Sequence, residues 1–139
     1  MKFSTRGHYG LRAMVKLAQA YGEGPLALND IAQAENLSEG YLEQLVAALR
    51  RAGLVKSKRG IRGGYQLTAQ PSSITVGEVL RALEGPLAPV ECASEVMAPG
   101  CCERETVCAS RLVWQRMRDS IAQVLDSTTL ADLCPERSS

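Results

Sequence analysis

Three cysteines, Cys92, Cys102 and Cys108, stand with nine and then five residues between them, in a stretch from Pro89 to Cys108 punctuated by Pro89, Pro99 and Gly100. Thiolates are soft metal ligands, and three of them in a loop favour ligation over inert burial. Zinc sites usually close with four ligands and often use a CxxC knuckle, whereas iron-sulfur clusters accept wider spacings. The missing knuckle therefore points to iron-sulfur chemistry. Cys101 adjoins Cys102, so either thiol could be the central ligand. Any fourth ligand has to come from elsewhere, because the loop contains no histidine. Five cysteines, an odd number, in a chain without an apolar signal core argue against a disulfide framework. Cys134 reads as a bystander.

The elements that position this loop are helical. Leu11, Met14, Val15, Leu17, Ala18 and Tyr21 recur at helical spacing from about Thr5 to Tyr21, and Gly22, Gly24 and Pro25 end the pattern. A shorter helix is expected through residues 30–35, then a turn at Asn36-Leu37-Ser38, with Ser38 as N-cap of a third helix burying Leu42, Leu45, Val46 and Leu49. Gly53 stops that helix. Two helices joined by a tight turn form a helix-turn-helix. Residues 54–58 and 65–68 read as strands around a glycine-rich turn, which makes a hairpin wing. Thr75 and Glu78 form a capping box for a helix carrying Val76, Val79, Leu80 and Leu83. From about Thr106 to Asp126, the residues Val107, Ser110, Trp114, Met117, Ile121, Val124 and Thr128 are three or four apart, a short seam that fits pairing with a second subunit.

The expected fold is therefore mainly α with a small β-hairpin: a winged helix-turn-helix over residues 1–85, a cysteine loop over 86–108, and a dimerisation helix and tail over 109–139. With 139 residues, the chain suffices for one compact core plus an appended element. No run of about eighteen apolar residues occurs, so neither export nor membrane insertion is expected, and the cytoplasm is the expected location.

Charge is unevenly placed. Residues 1–77 hold ten Lys and Arg against five Asp and Glu, and residues 78–139 hold six against ten. Between Glu43 and Glu78 lie Arg50, Arg51, Lys56, Lys58, Arg59 and Arg62, with no carboxylate at all. A polyanion suits that field, and double-stranded DNA suits a helix beside a wing. The exposed early residues of the third helix, Glu39, Tyr41, Glu43 and Gln44, with Ser38 at its start, can reach phosphates or base edges in a major groove. Gln44 can pair with adenine, and Glu43 can accept from cytosine N4, which makes it a specificity filter; the plainer reading of Glu43 is a solvated helix face. Arg59 and Arg62 at the wing tip can enter a minor groove. Arg50 belongs to the same basic face.

Taken together, Arg6, Gly7 and Tyr9, Asp30-Ile31-Ala32, Ser38 with Tyr41-Leu42-Glu43-Gln44-Leu45, Gly53-Leu54-Val55, Arg59-Gly60 with Gly63-Gly64-Tyr65, Val76-Gly77-Glu78-Val79, Cys102 with Cys108, and Thr129 to Leu133 resemble the Rrf2 family of bacterial winged-helix regulators. This is the group of IscR, NsrR and CymR, with IscR the nearest. The likeness spans nearly the whole chain.

The resemblance implies a homodimer that binds operator DNA through the third helix and the wing, under control of an iron-sulfur cluster, [2Fe-2S] or alternatively [4Fe-4S]. Cys102 and Cys108 match the last two cluster cysteines in spacing, and Cys92 matches the first across a longer loop. Where IscR places a histidine after the last cysteine, this chain has Arg111, which cannot ligate. In NsrR-like relatives the start of the first helix of the other subunit supplies a carboxylate ligand, and His8 stands there. The expected metal set is Cys92, Cys102 and Cys108 with His8 of the second subunit. The alternatives are a cluster-free repressor of the CymR type that responds to thiol oxidation or to a partner protein and, from another class, a small iron-sulfur electron carrier. No catalytic constellation is expected.

Overall fold

The computed structural model describes residues 4–61, 63–86 and 110–134. Helix α1 (Thr5–Gln19) buries Met14, Leu17 and Ala18 of the expected stripe together with Ala13, leaves Leu11 and Val15 half-buried, and ends two residues short of Tyr21, which is exposed. Helix α2 (Leu28–Glu35) starts two residues earlier than expected and stops at Asn36, which adopts a left-handed conformation. Helix α3 (Glu39–Arg51) begins at Ser38, whose Oγ accepts the Tyr41 N–H at 3.2 Å. That cap satisfies one of the amides a helix start leaves unpaired.

Strands β1 (Val55–Lys58) and β2 (Gly64–Leu67) pair antiparallel with Val55 opposite Leu67 and Lys58 opposite Gly64. Leu26 adds an antiparallel bridge on the outer side of β2, exchanging hydrogen bonds of 2.9 and 2.8 Å with Tyr65. A 3-10 turn (Pro71–Ser73) leads into α4 (Val76–Glu84), whose capping box between Thr75 and Glu78 is formed as expected.

The long helix α5 runs Arg111–Ser127, and a short α6, Leu130–Leu133, follows it. The C-terminal part of α5 is tied to the first core. Arg81 on α4 holds Asp126 through two parallel contacts of 2.6 and 3.1 Å, Val76 N–H donates to the Thr128 carbonyl at 2.8 Å, and Leu130 N–H donates to the Ile74 carbonyl at 3.0 Å. Leu130 is then wholly buried beside Met14, Leu42, Leu45, Leu49 and Val79. Thus the segment beginning at residue 109 contributes an anchor to the core of residues 1–85. The other end of α5 projects with Leu112 and Val113 exposed. Of the expected seam, Ser110 to Thr128 are described, and Val107 lies outside the described residues. Among the described residues, no helix is long and apolar enough to cross a membrane.

Candidate nucleic-acid interface

Helix α3 has two unlike faces. Leu42, Leu45, Val46 and Leu49 are sunk in the core, while Glu39, Gly40, Glu43, Gln44, Arg50 and Arg51 face outward. Facing the outward stripe is the wing. Between them lies an open cleft of about 800 Å³, lined by Gly40, Glu43, Gln44, Ala47, Arg50, Arg51 and Tyr65. The structure therefore gathers Glu43, Gln44 and Arg50 along one wall. Ser38 and Tyr41 sit at the helix start just outside it, and Arg59 is exposed near the wing tip. Arg62 lies outside the described residues.

The cap at Ser38 leaves chemistry available. Its oxygen accepts the backbone amide of Tyr41, so its own hydroxyl hydrogen remains able to donate outward. A helix of thirteen residues also presents a positive dipole end there. Arg51 and Tyr65 were absent from the sequence-based set. The signal for Arg51 was its place in the carboxylate-free stretch. Tyr65 shares the strand face of buried Leu67, and its packing against the core gave no hint that its edge lines a cleft.

Tyr41 is held from behind. Its ring meets Tyr9 of α1 edge-on, and the Arg12 guanidinium lies over the Tyr9 ring at 5.9 Å from its centre. Arg12 in turn approaches Glu35 of α2 at 2.6 Å, with the Glu35 side chain only 5% exposed. That approach is not directed as a hydrogen bond to Glu35 Oε2, so the contact is Coulombic first. Three helices thus meet through four side chains behind the start of α3.

His8, the described member of the expected metal set, is exposed in the first turn of α1. Its position is fixed by a clamp one turn earlier. Both carboxylate oxygens of Glu84, at the end of α4, accept the Ser4 backbone N–H at 3.1 and 2.9 Å, and one also accepts the Ser4 hydroxyl. An exposed imidazole is open to a ligand site on another chain, and one imidazole with three thiolates is a donor set suited to iron-sulfur chemistry. Cys92, Cys101, Cys102 and Cys108 lie outside the described residues. Among the described residues, no three His, Cys, Asp or Glu side chains gather to hold a metal.

A family model described as "Rrf2: Iron-dependent Transcriptional regulator" matches residues 3–136. The HTH-type transcriptional regulator CymR of Bacillus subtilis is 53% identical over 133 residues, which cover 96% of this chain and 89% of that protein. Its solved structure, that of "the Global Cysteine Regulator", superposes with a TM-score of 0.77 over 96% of this chain and 95% of the other. The HTH-type transcriptional regulator IscR of Aliivibrio salmonicida is 36% identical and is matched over 96% of this chain and 77% of its own length. A solved IscR from T. potens shares 47% identity at a TM-score of 0.76, covering 96% of this chain and 85% of that one.

Proposed function

We propose that this chain, which belongs to the Rrf2 family of transcriptional regulators, grips double-stranded operator DNA as a homodimer and alters that grip through thiol chemistry or a partner protein, without a cluster, as a CymR-type regulator does. The observation that carries the DNA reading is the cleft between α3 and the wing, with Glu43, Gln44, Arg50 and Arg51 on its wall. In this reading α3 enters the major groove, Gln44 and Glu43 address base edges, and Ser38, Tyr41 and Arg50 hold phosphates. Arg59, with Arg62, anchors the wing. A carboxylate in that groove is tolerated only where a base donor compensates it, so Glu43 discriminates between operators.

The higher identity to CymR than to either IscR supports the cluster-free form. A second reading keeps the cluster and is favoured by the spacing of Cys92, Cys102 and Cys108. In it those thiolates, with His8 of the other subunit, hold an iron-sulfur group, which when bound supplies a redox-sensitive or nitric-oxide-sensitive link between the cysteine segment and α1. The chain's own residues do the rest: the Ser4–Glu84 clamp fixes where His8 stands relative to α4. In either form the signal has to favour one arrangement of the two α3 helices, and about 1–3 kcal/mol of coupling suffices.

Operator fragments selected from random duplex DNA, with protein prepared without oxygen, separate the two. The cluster-free form is expected to contain no stoichiometric iron or sulfide and to change operator affinity upon mild thiol oxidation or addition of a partner protein. Visible absorbance with iron and sulfide, together with affinity that changes when they are removed, would establish the second reading. Protein that retains no sequence-selected DNA would refute both.

A further inference from the structure

Seven large apolar side chains are exposed among the described residues, and four of them, Leu112, Val113, Met117 and Val124, lie on α5. Tyr21 and Leu133 are only 40% and 39% exposed, whereas Ile61 is exposed to 106%, as fully as an isolated residue. It occupies the tip of the wing. Gly63 N–H donates to the Gly60 carbonyl at 3.0 Å, closing a tight turn from Gly60 to Gly63 in which Ile61 is the first central residue. The turn is tight enough that a Cβ at Gly63 would strike the backbone oxygens of Lys58 and Gly60.

Such a position normally takes Gly, Pro, Asn, Asp or Ser. A β-branched apolar residue gains nothing from the turn, and among the described residues Ile61 packs on nothing. Its neighbours are cationic: Lys56, Lys58 and Arg59 are exposed on the same hairpin. A cationic stem draws the tip to phosphates, and an apolar tip held there can lose its water between or against the bases of a groove.

Resting on the operator reading above, we propose that Ile61 is an apolar wedge, pressed by the wing into the minor groove at a deformable step of the operator flank. Apolar side chains in such positions unstack a step and kink the duplex by roughly 20–90°. Pyrimidine–purine steps yield most easily, so Ile61 would select sequence without a hydrogen bond to any base.

The test compares wild type, Ile61→Ser and Ile61→Leu on one selected operator and on a copy whose flanking TA or CA steps are replaced, with energy transfer between the DNA ends reporting the bend. Because Ile61 is fully exposed, the substitutions leave thermal stability unchanged. Ile61→Ser is expected to bind about tenfold more weakly, to bend the duplex less, and to lose the preference between the two operators, with an unchanged salt slope. Ile61→Leu is expected to restore bend and preference. An equal bend and an equal step preference for Ile61→Ser, whatever its affinity, would overturn the wedge while leaving the operator reading intact. Wild-type protein that selects no sequence would overturn both.

Discussion

Tyr41, in the first turn of α3, meets Tyr9 of α1 edge to face, with ring centres 6.3 Å apart and planes at 84°. The ring is therefore spent on positioning the start of α3, while the hydroxyl is what can reach a phosphate. Tyr41→Phe is expected to keep folding stability within about 0.5 kcal/mol, since it changes no packed volume. Loss of one hydrogen bond to DNA would weaken operator binding by about five- to tenfold. Tyr9→Ala is expected to do the reverse first, lowering stability by about 2–4 kcal/mol through the lost ring and aromatic pair. Chemical denaturation beside DNA titration checks both; a Phe variant with wild-type affinity would remove the hydroxyl contact.

Behind that pair, Arg12 faces a buried Glu35 at 2.6 Å with its own side chain 60% exposed. Truncating one partner of a buried pair leaves an unpaired charge in the core, a cost that solvent access to Arg12 reduces. Arg12→Ala is expected to cost about 1–3 kcal/mol in denaturant unfolding. Adding Glu35→Gln should return more than half of the loss. If the double variant were as unstable as the sum of both singles, the ion pair would not be the source.

Helix α1 also depends on a close approach. A Cβ on Gly10 would fall inside the Leu83 side chain of α4. Gly10→Ala should therefore lower stability by about 1–3 kcal/mol despite the better helix propensity of alanine. Gly40→Ala, where nothing lies within 4 Å, serves as the control on α3 and is expected to be neutral or stabilising. Equal thermal midpoints for both variants would contradict the packing assigned to Gly10.

The periodic parts of this fold were legible in the sequence because local chemistry decides them. The apolar stripe of α1, the Ser38 cap, the Thr75–Glu78 box and the glycine-punctuated wing each report themselves within a few residues. Contacts joined only in space had no such signal. Tyr9 to Tyr41, Arg12 to Glu35 and Ser4 to Glu84 each join different elements more than twenty residues apart, and none follows a period. Helix α6 is four residues long, too short for a stripe to show that Leu130 enters the core. Its capping box, Thr129 with Asp132, was the available clue. Of the candidate site, Glu43, Gln44 and Arg50 converge on one wall as helical spacing allows, whereas the cysteine segment and Arg62 lie outside the described residues.

The exposed side of α5 carries Val113, Met117 and Val124, at 51%, 38% and 61% exposure. Spaced four and seven apart, they make one stripe, wide enough for a second copy of the helix. Met117→Glu with Val124→Glu is expected to shift the protein to monomer in sedimentation and to weaken operator binding by at least about tenfold, because two half-sites are then bound independently. Their outward position leaves the fold itself intact. A double variant that stays dimeric would move the interface to another surface.

The most direct check on the account is the salt dependence of binding to a selected operator and to a scrambled duplex, for wild type, Arg59→Ala and Gln44→Ala. Arg59→Ala should weaken both duplexes alike and reduce the slope of log affinity against log salt by about one. Gln44→Ala should keep the slope and cost about 1–3 kcal/mol on the operator alone, erasing much of the discrimination. Wild type that binds operator and scrambled duplex equally, or variants that leave slope and discrimination untouched, would contradict a DNA grip built from α3 and the wing.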